Sequence, residues 1–413
     1  MDAFIISIGE ELLIGQTINT NAAWMAAQLN TAGIEVKEIR VITDRHEEIL
    51  DTLKAAADRA DLVLITGGLG PTRDDVTRDV LCTFFDAELV MNRQVLDDIT
   101  VFFKQRGRTI TDINRNQAMV PDKARIIRNP YGTAPGFWFT QAGKSFIAMP
   151  GVPYEMKEMV SKHVLPALLE KEREKYIVHK SVLTHGIGES YLVDLIGDWE
   201  NNLPEEIQLA YLPSVGIVKL RLSAKGKNEE RLREIIDREV EALKRIIPEY
   251  IWGFDSDTLE GVVGSLLRER GKTVCTAESC TGGYIAHRIT SIPGSSAYFS
   301  GSIVAYGNQI KTGLLHIPQD LLESFGAVSK ETAENMAESV LKLMNSDYAV
   351  GVTGIAGPDG GSEEKPVGTT WIAVSSQNKT FSHKYQFGDN RERNIIRASN
   401  AALAMLRELI NES

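Results

Sequence analysis

Short, unbroken apolar runs alternating with amphipathic stretches constrain this chain most, because that rhythm has few packed solutions. Asp61-Leu-Val-Leu-Ile-Thr66 is apolar throughout its interior, and Ala3-Phe-Ile-Ile-Ser-Ile8 nearly so. A strand with one solvated face alternates in polarity, whereas a strand apolar on both faces belongs to a parallel sheet covered by helices on either side. Between these runs the spacing predicts a helix over Asn21 to Leu29 stopped by Gly33, a strand over Ile34 to Ile42 and an amphipathic helix over Glu47 to Ala60. The predicted class is therefore α/β, and ligands of such sheets bind beyond the carboxyl ends of the strands.

Two strand ends carry candidate chemistry. One is Gly9-Glu-Glu11 and the other is Thr66-Gly-Gly-Leu-Gly-Pro-Thr-Arg-Asp-Asp-Val-Thr77. Glycines let backbone N–H groups approach a phosphate, and Asp74, Asp75 and Thr77 offer oxygens to a hard cation. A tight βα connection with a capping aspartate is the plainer reading of the same residues. Asn19-Thr-Asn21, the loop from Asn129 through Gly132 to Gly136, and Met149-Pro-Gly-Val-Pro153 follow other apolar segments, as a nucleotide site needs.

With 413 residues the chain exceeds the size at which one core stops growing, so several domains are expected. No apolar run approaches a membrane span of about 20 residues, and Met1 to Ile8 lacks a basic leader, so a cytoplasmic location is expected. A net charge of −11 without a basic stripe argues against direct nucleic-acid binding. The three cysteines, Cys82, Cys275 and Cys280, suit neither a disulfide framework nor a zinc site.

In the second half, Lys272 to Thr276 is predicted as a strand running into Ala277-Glu-Ser-Cys-Thr-Gly-Gly283 and a helix beyond it. Ser279 then lies beside backbone N–H groups, those near Cys280 to Gly282, suited to an oxyanion. An alcohol needs a base, and the strand from Gly301 to Tyr306 leads through Gly307-Asn308 to a short helix bearing Lys311. Either Tyr306 or Lys311 can take the proton. No histidine occupies a comparable position, and Cys280 is a rival nucleophile without a placed activating group. The glycine-rich loop from Gly354 to Ser362, after a strand ending at Thr353, is a candidate phosphate holder with Lys365 adding charge, and Arg391 or Arg393 is a further clamp.

Ala277 to Gly283, Tyr306 with Lys311, and the run from Val352 to Thr369 together resemble the C-terminal domain of the CinA family of competence/damage-inducible proteins. The resemblance implies a nicotinamide mononucleotide deamidase with Ser279, Tyr306 and Lys311 as its catalytic set. Cys280, Thr281, Gly282, Gly283, Thr353, Gly354, Gly357, Gly361, Ser362, Thr369 and Arg391 are its expected substrate contacts, with no cofactor. The N-terminal loops resemble the molybdopterin-binding fold as that family carries it, which implies metal-dependent hydrolysis of ADP-ribose. There the expected nucleotide site is Glu11, Asn21, Gly67, Gly68, Gly70, Asp75, Thr77, Gly132, Pro150 and Gly151, with Glu10, Asp74 and Asp75 holding Mg, Mn or Co. The family's Gly-Asp-Glu is Gly9-Glu10-Glu11 in this chain.

The expected organisation is a three-layer, molybdopterin-binding-like α/β domain over residues 1–172 and a KH-like β-α-β-β-α domain over 173–249. A linker over 250–257 and an α/β deamidase domain over 258–413 follow. The acidic turn Gly186-Ile-Gly-Glu189 does not suit an RNA clamp, so the middle domain is read as a spacer or dimer contact, and a homodimer is expected. The competing reading is a regulatory protein that binds nucleotide or pterin without turnover.

Overall fold

The computed structural model describes residues 1–72, 74–169 and 176–413; Arg73 of the glycine loop and the expected boundary at 172/173 lie outside the described residues. In the N-terminal domain β1 (Asp2–Ile8), α1 (Thr20–Thr31), β2 (Glu35–Ile42), α2 (His46–Arg59), β3 (Leu62–Thr66) and α3 (Thr77–Phe85) alternate as predicted. Beyond them β4 (Arg125–Ile127), β5 (Gly136–Gln141) and β6 (Lys144–Met149), the last followed by α4 (Pro153–Met159), complete a six-stranded sheet in the order β2-β1-β3-β6-β5-β4. β2, β1, β3 and β6 are parallel, and β5 and β4 turn one edge antiparallel. Successive side chains feed opposite faces. Phe4, Ile6, Val63 and Ile65 pack with Ile49 and Leu53 of α2, whereas Ala3, Ile5, Leu62 and Leu64 pack with Met25 and Leu29 of α1. Three layers result, and the apolar continuity of the strands is explained by burial on both sides.

The middle domain contains β7 (Tyr176–His185), α5 (Glu189–Asn201), β8 (Ile207–Ser214), β9 (Ile217–Gly226), α6 (Glu229–Ile246) and β10 (Ile251–Phe254), with strand order β8-β9-β7-β10. The stretch expected to be a linker is thus corrected. Ile251 to Phe254 form an antiparallel edge strand against β7, with Ile251 and Trp252 buried. Pro248 and Gly253 flank and interrupt so short an apolar run that its strand character is hidden in the sequence.

The C-terminal domain begins with α7 (Leu259–Glu269), β11 (Val274–Glu278) and α8 (Tyr284–Thr290), followed by β12 (Phe299–Val304), α9 (Asn308–Gly313) and α10 (Lys330–Met344). Then come β13 (Tyr348–Gly354), β14 (Thr369–Ser376), β15 (Thr380–Gln386) and the long α11 (Arg391–Glu412). The sheet order is β12-β11-β13-β14-β15, with β11 parallel to both neighbours and β14 and β15 antiparallel. One core runs from Val263 and Leu267 of α7 through Val350 and Val352 to Leu403 and Leu406 of α11, and it takes in Leu183 and Trp252 of the middle sheet. Among the described residues no helix is long and apolar enough to cross a membrane.

Candidate active site

The carboxyl ends of β11, β12 and β13 converge on one cavity, and the pairing of the strands dictates what meets there. Ser279, directly after β11, is anchored by its N–H on the Val352 carbonyl of β13 at 2.9 Å. On the other side Ala305 N–H donates to the Glu278 carbonyl at 2.8 Å, so the residues after β12 lie level with the serine. The Ala305 carbonyl then accepts from Lys311 Nζ at 2.7 Å and the Tyr306 carbonyl at 3.4 Å, which brings Nζ to 3.2 Å from Ser279 Oγ. Lys311 is 1% exposed, and burial lowers its pKa from the ordinary lysine value. A neutral amine has two N–H donors and one lone pair. Two carbonyls and one hydroxyl match that inventory.

Tyr306 takes a different place from the one expected of a base. Its ring is 59% exposed and its hydroxyl accepts from Arg391 Nη2 at 2.9 Å. Arg391, at the start of α11, also donates through Nη1 to the Gly357 carbonyl at 2.9 Å. The cavity, about 240 Å³, is lined by Ser279, Cys280, Tyr306, Lys311 and Arg391, with Thr353 and Gly354 behind them. Asn308, Ala327, Val328 and Ala356 complete the lining and are contacts that sequence reasoning missed. Asn308 alone had a signal, the Gly-Asn turn into α9. Thr353 donates its hydroxyl to the Ala327 carbonyl at 2.6 Å. At Gly354 the backbone passes so near that a Cβ would lie 3.0 Å from Cys280 Sγ.

Five expected contacts lie away from the cavity for identifiable reasons. Thr369 donates to Gln386 Oε1 at 2.9 Å between β14 and β15, and Ser362 is occupied with Lys365, whose Nζ donates to the Phe325 carbonyl at 2.7 Å. Gly361 precedes Ser362 on this self-contained turn, whose two ends join through Ser362 N–H and the Lys365 carbonyl at 2.9 Å. Arg393 contributes its backbone N–H to the cap of α11.

The turn after the serine is also filled from within. Glu278, 0% exposed, accepts at Oε2 from Thr281 Oγ1 at 2.7 Å, Gly283 N–H at 3.0 Å and Ile285 N–H at 3.1 Å. At Oε1 it accepts from Ala286 N–H at 2.8 Å and Thr276 Oγ1 at 3.2 Å. Gly282 and Gly283 adopt φ of +63° and +95°, which only glycine tolerates without strain. Gly282 N–H donates to the Ser279 carbonyl at 3.1 Å, so the expected oxyanion donors narrow from Cys280–Gly282 to the N–H groups of Cys280 and Thr281, which have no backbone partner among the described residues. Burial, reinforced by the charge of Glu278, pushes the Cys280 thiol up to about 12.

In the N-terminal domain the predicted loops meet at the ends of β1, β3 and β6. Asn21 Nδ2 donates to the Gly151 carbonyl at 2.7 Å and to Thr66 Oγ1 at 3.2 Å, and Thr66 donates to the Pro150 carbonyl at 2.9 Å. Thr77, fully buried, donates its hydroxyl to the Gly67 carbonyl and its N–H to that of Gly68, both at 3.1 Å. Asp75 accepts from Thr72 N–H at 2.8 Å, beside Gly70. Gly132 packs on Glu155, whose carboxyl accepts from Asn129 at 2.6 Å and is raised by burial.

The expected cation set of Glu10, Asp74 and Asp75 does not converge. Among the described residues no three histidine, cysteine or acidic side chains come together as a metal cage. Glu10 instead donates its N–H to Asp44 at 3.3 Å. Asp44, which sequence reasoning missed, has its pKa raised by burial and by the charges of Glu11, Asp74 and Asp75. Asp44 therefore feels the charges of Glu11, Asp74 and Asp75 without forming a cage with them.

With this geometry in view, three family descriptions match in chain order: a probable molybdopterin binding domain over residues 4–170, the damage-inducible protein CinA KH domain over 179–253 and the CinA C-terminal domain over 256–410. A CinA-like protein of Cytophaga hutchinsonii is 46% identical over 99% of this chain and 98% of its own length. The chain belongs to the CinA family. A second CinA-like protein, from Chloroherpeton thalassium, is 43% identical over the whole of both chains. The solved competence/damage inducible protein CihA of Agrobacterium tumefaciens is 41% identical over 37% of this chain and 93% of its own, with a TM-score of 0.36. The CinA assignment accounts for the α/β class and for the sequence of molybdopterin-binding-like, KH-like and CinA C-terminal domains.

Proposed function

We propose that the C-terminal domain hydrolyses the carboxamide of nicotinamide mononucleotide to nicotinate mononucleotide and ammonia. The observation that carries this reading is Lys311 Nζ, buried and 3.2 Å from Ser279 Oγ in a cavity that Arg391 also lines. Ser279 attacks the carboxamide carbon while Lys311 accepts its proton, and the oxyanion is held by the N–H groups of Cys280 and Thr281. Lys311 returns the proton to the departing ammonia, and the acyl-enzyme is released by water deprotonated at the same amine. The pyridinium ring withdraws electrons from the carbonyl and so eases attack. Arg391, steadied by Gly357 and Tyr306, supplies the guanidinium for the 5′-phosphate. Ammonia release from nicotinamide mononucleotide by the purified full chain tests the reading, and its absence refutes it.

For the N-terminal domain we propose metal-dependent hydrolysis of ADP-ribose, with Asp44 replacing Glu10 beside Glu11, Asp74 and Asp75. The raised Asp44, shifted by burial and then by the charges of Glu11, Asp74 and Asp75, supports it, since a divalent ion offsets that cost. A small hard cation needs only one or two protein carboxylates when the diphosphate supplies the remaining oxygens. Binding of ADP-ribose without AMP formation under any metal would favour a sensor.

A further inference from the structure

The turn carrying the proposed nucleophile is organised by a carboxylate that no step of the proposed reaction uses. Glu278 is fully buried, yet among the described residues it forms no salt bridge; its partners are the hydroxyls of Thr276 and Thr281 and the N–H groups of Gly283, Ile285 and Ala286. A buried charge without a counter-ion is expensive unless hydrogen bonds replace its hydration, and five donors do that here. Their positions matter as much as their number. Three N–H groups after Gly282 and the Thr281 hydroxyl converge on the carboxylate, so the chain folds back around residue 278 immediately after passing Ser279. The N–H groups of Cys280 and Thr281 are not drawn into that set and have no backbone partner among the described residues.

We infer that Glu278 is the positioning residue of the deamidase site: its carboxylate gathers the N–H groups beyond Gly282 onto itself and so holds Cys280 and Thr281 N–H free and aimed at the oxyanion. The inference rests on the serine–lysine reading. It differs from a stabilising role because it predicts loss in the rate of the chemical step while substrate binding, which belongs to Arg391 and the far wall, persists. The acid must be ionised to do this, because only a carboxylate accepts from all five donors at once. In Glu278→Gln the amide nitrogen would face donors with a donor, and the turn would relax.

The test measures nicotinamide mononucleotide hydrolysis by the full chain carrying Glu278→Gln or Glu278→Ala. The expected result for Glu278→Gln is a kcat lower by on the order of 10²-fold, as for loss of oxyanion-hole alignment, with KM within about twofold of the parent. Formate supplied to Glu278→Ala should restore part of kcat, because a free carboxylate can take up the vacated donors, whereas the parent should not respond. A parental kcat in either variant overturns the inference, as does a folded Glu278→Ala whose lost kcat formate cannot restore. If Glu278→Ala does not fold, Glu278→Gln decides, and a rise in KM matching its loss of kcat overturns the inference. A parent chain that releases no ammonia defeats the deamidase reading instead. Positioning is then followed by the rate at which a fluorophosphonate labels Ser279, which depends on the same N–H pair, and an unchanged rate in Glu278→Gln counts against it.

Discussion

Ser279 and Cys280 are adjacent, and their environments assign them opposite chemistry. The hydroxyl has an amine at 3.2 Å, whereas burial has pushed the neighbouring thiol up to about 12. Ser279→Ala is therefore expected to reduce ammonia release by on the order of 10³-fold or more, while Cys280→Ser keeps most of it. A reversed pattern in a steady-state assay would transfer the reaction to sulfur. Lys311 adds a pH signature. Its ammonium is the idle form, and burial lowers its pKa from 10.5, so kcat/KM should rise with pH through that lowered value and level off before 10.5. Stability follows the same sign. Between the lowered pKa and 10.5 the unfolded lysine holds a proton that the native one lacks, so native stability rises with pH across that window. Lys311→Met should abolish turnover, raise Tm at neutral pH and remove that slope in a pH series of melting curves. Arg391→Ala should raise KM for nicotinamide mononucleotide about 10-fold or more, as expected for a lost charge-assisted bond, while leaving the phosphate-free riboside unaffected.

At the scale of elements, the close approach of β13 to α10 is an exacting contact. A Cβ on Gly351 would lie 2.4 Å from the Ala333 carbonyl and 2.6 Å from Ala337 N. Gly351→Ala should then cost about 1–3 kcal/mol, read as a lower Tm by calorimetry. Most elements were legible because their pattern is strong: the unbroken apolar run of β3 and the amphipathic spacing of α2 leave few alternatives. β10 was not, since four residues between Pro248 and Asp257 carry no period and its partner β7 lies far away in sequence. The site divided on the same physical ground. Ser279 and Lys311 were visible because they sit at the ends of adjacent parallel strands, whereas the interior role of Glu278 depends on N–H groups whose convergence is a tertiary fact. The loop at Ser362 misled because glycine content reports backbone freedom and not direction; the loop bonds to itself.

Across the whole molecule, two groups of residues with unrelated needs share one chain. In the proposed reading the acidic end of the N-terminal sheet takes a cation, and the serine–lysine cavity works without one. Chelator should accordingly stop ADP-ribose hydrolysis and leave ammonia release intact, and Asp75→Asn should reproduce that selectivity at saturating metal, with AMP and ammonia measured on the same preparation. Equal sensitivity of both products would overturn the division. The buried thiol beside Ser279 carries a final consequence, for life under oxidative stress. Peroxide attacks thiolates, and a thiol whose pKa is about 12 presents almost none at neutral pH. On the proposed serine mechanism, an alcohol nucleophile next to so inert a sulfur keeps turning over during a peroxide burst that would silence a thiol enzyme.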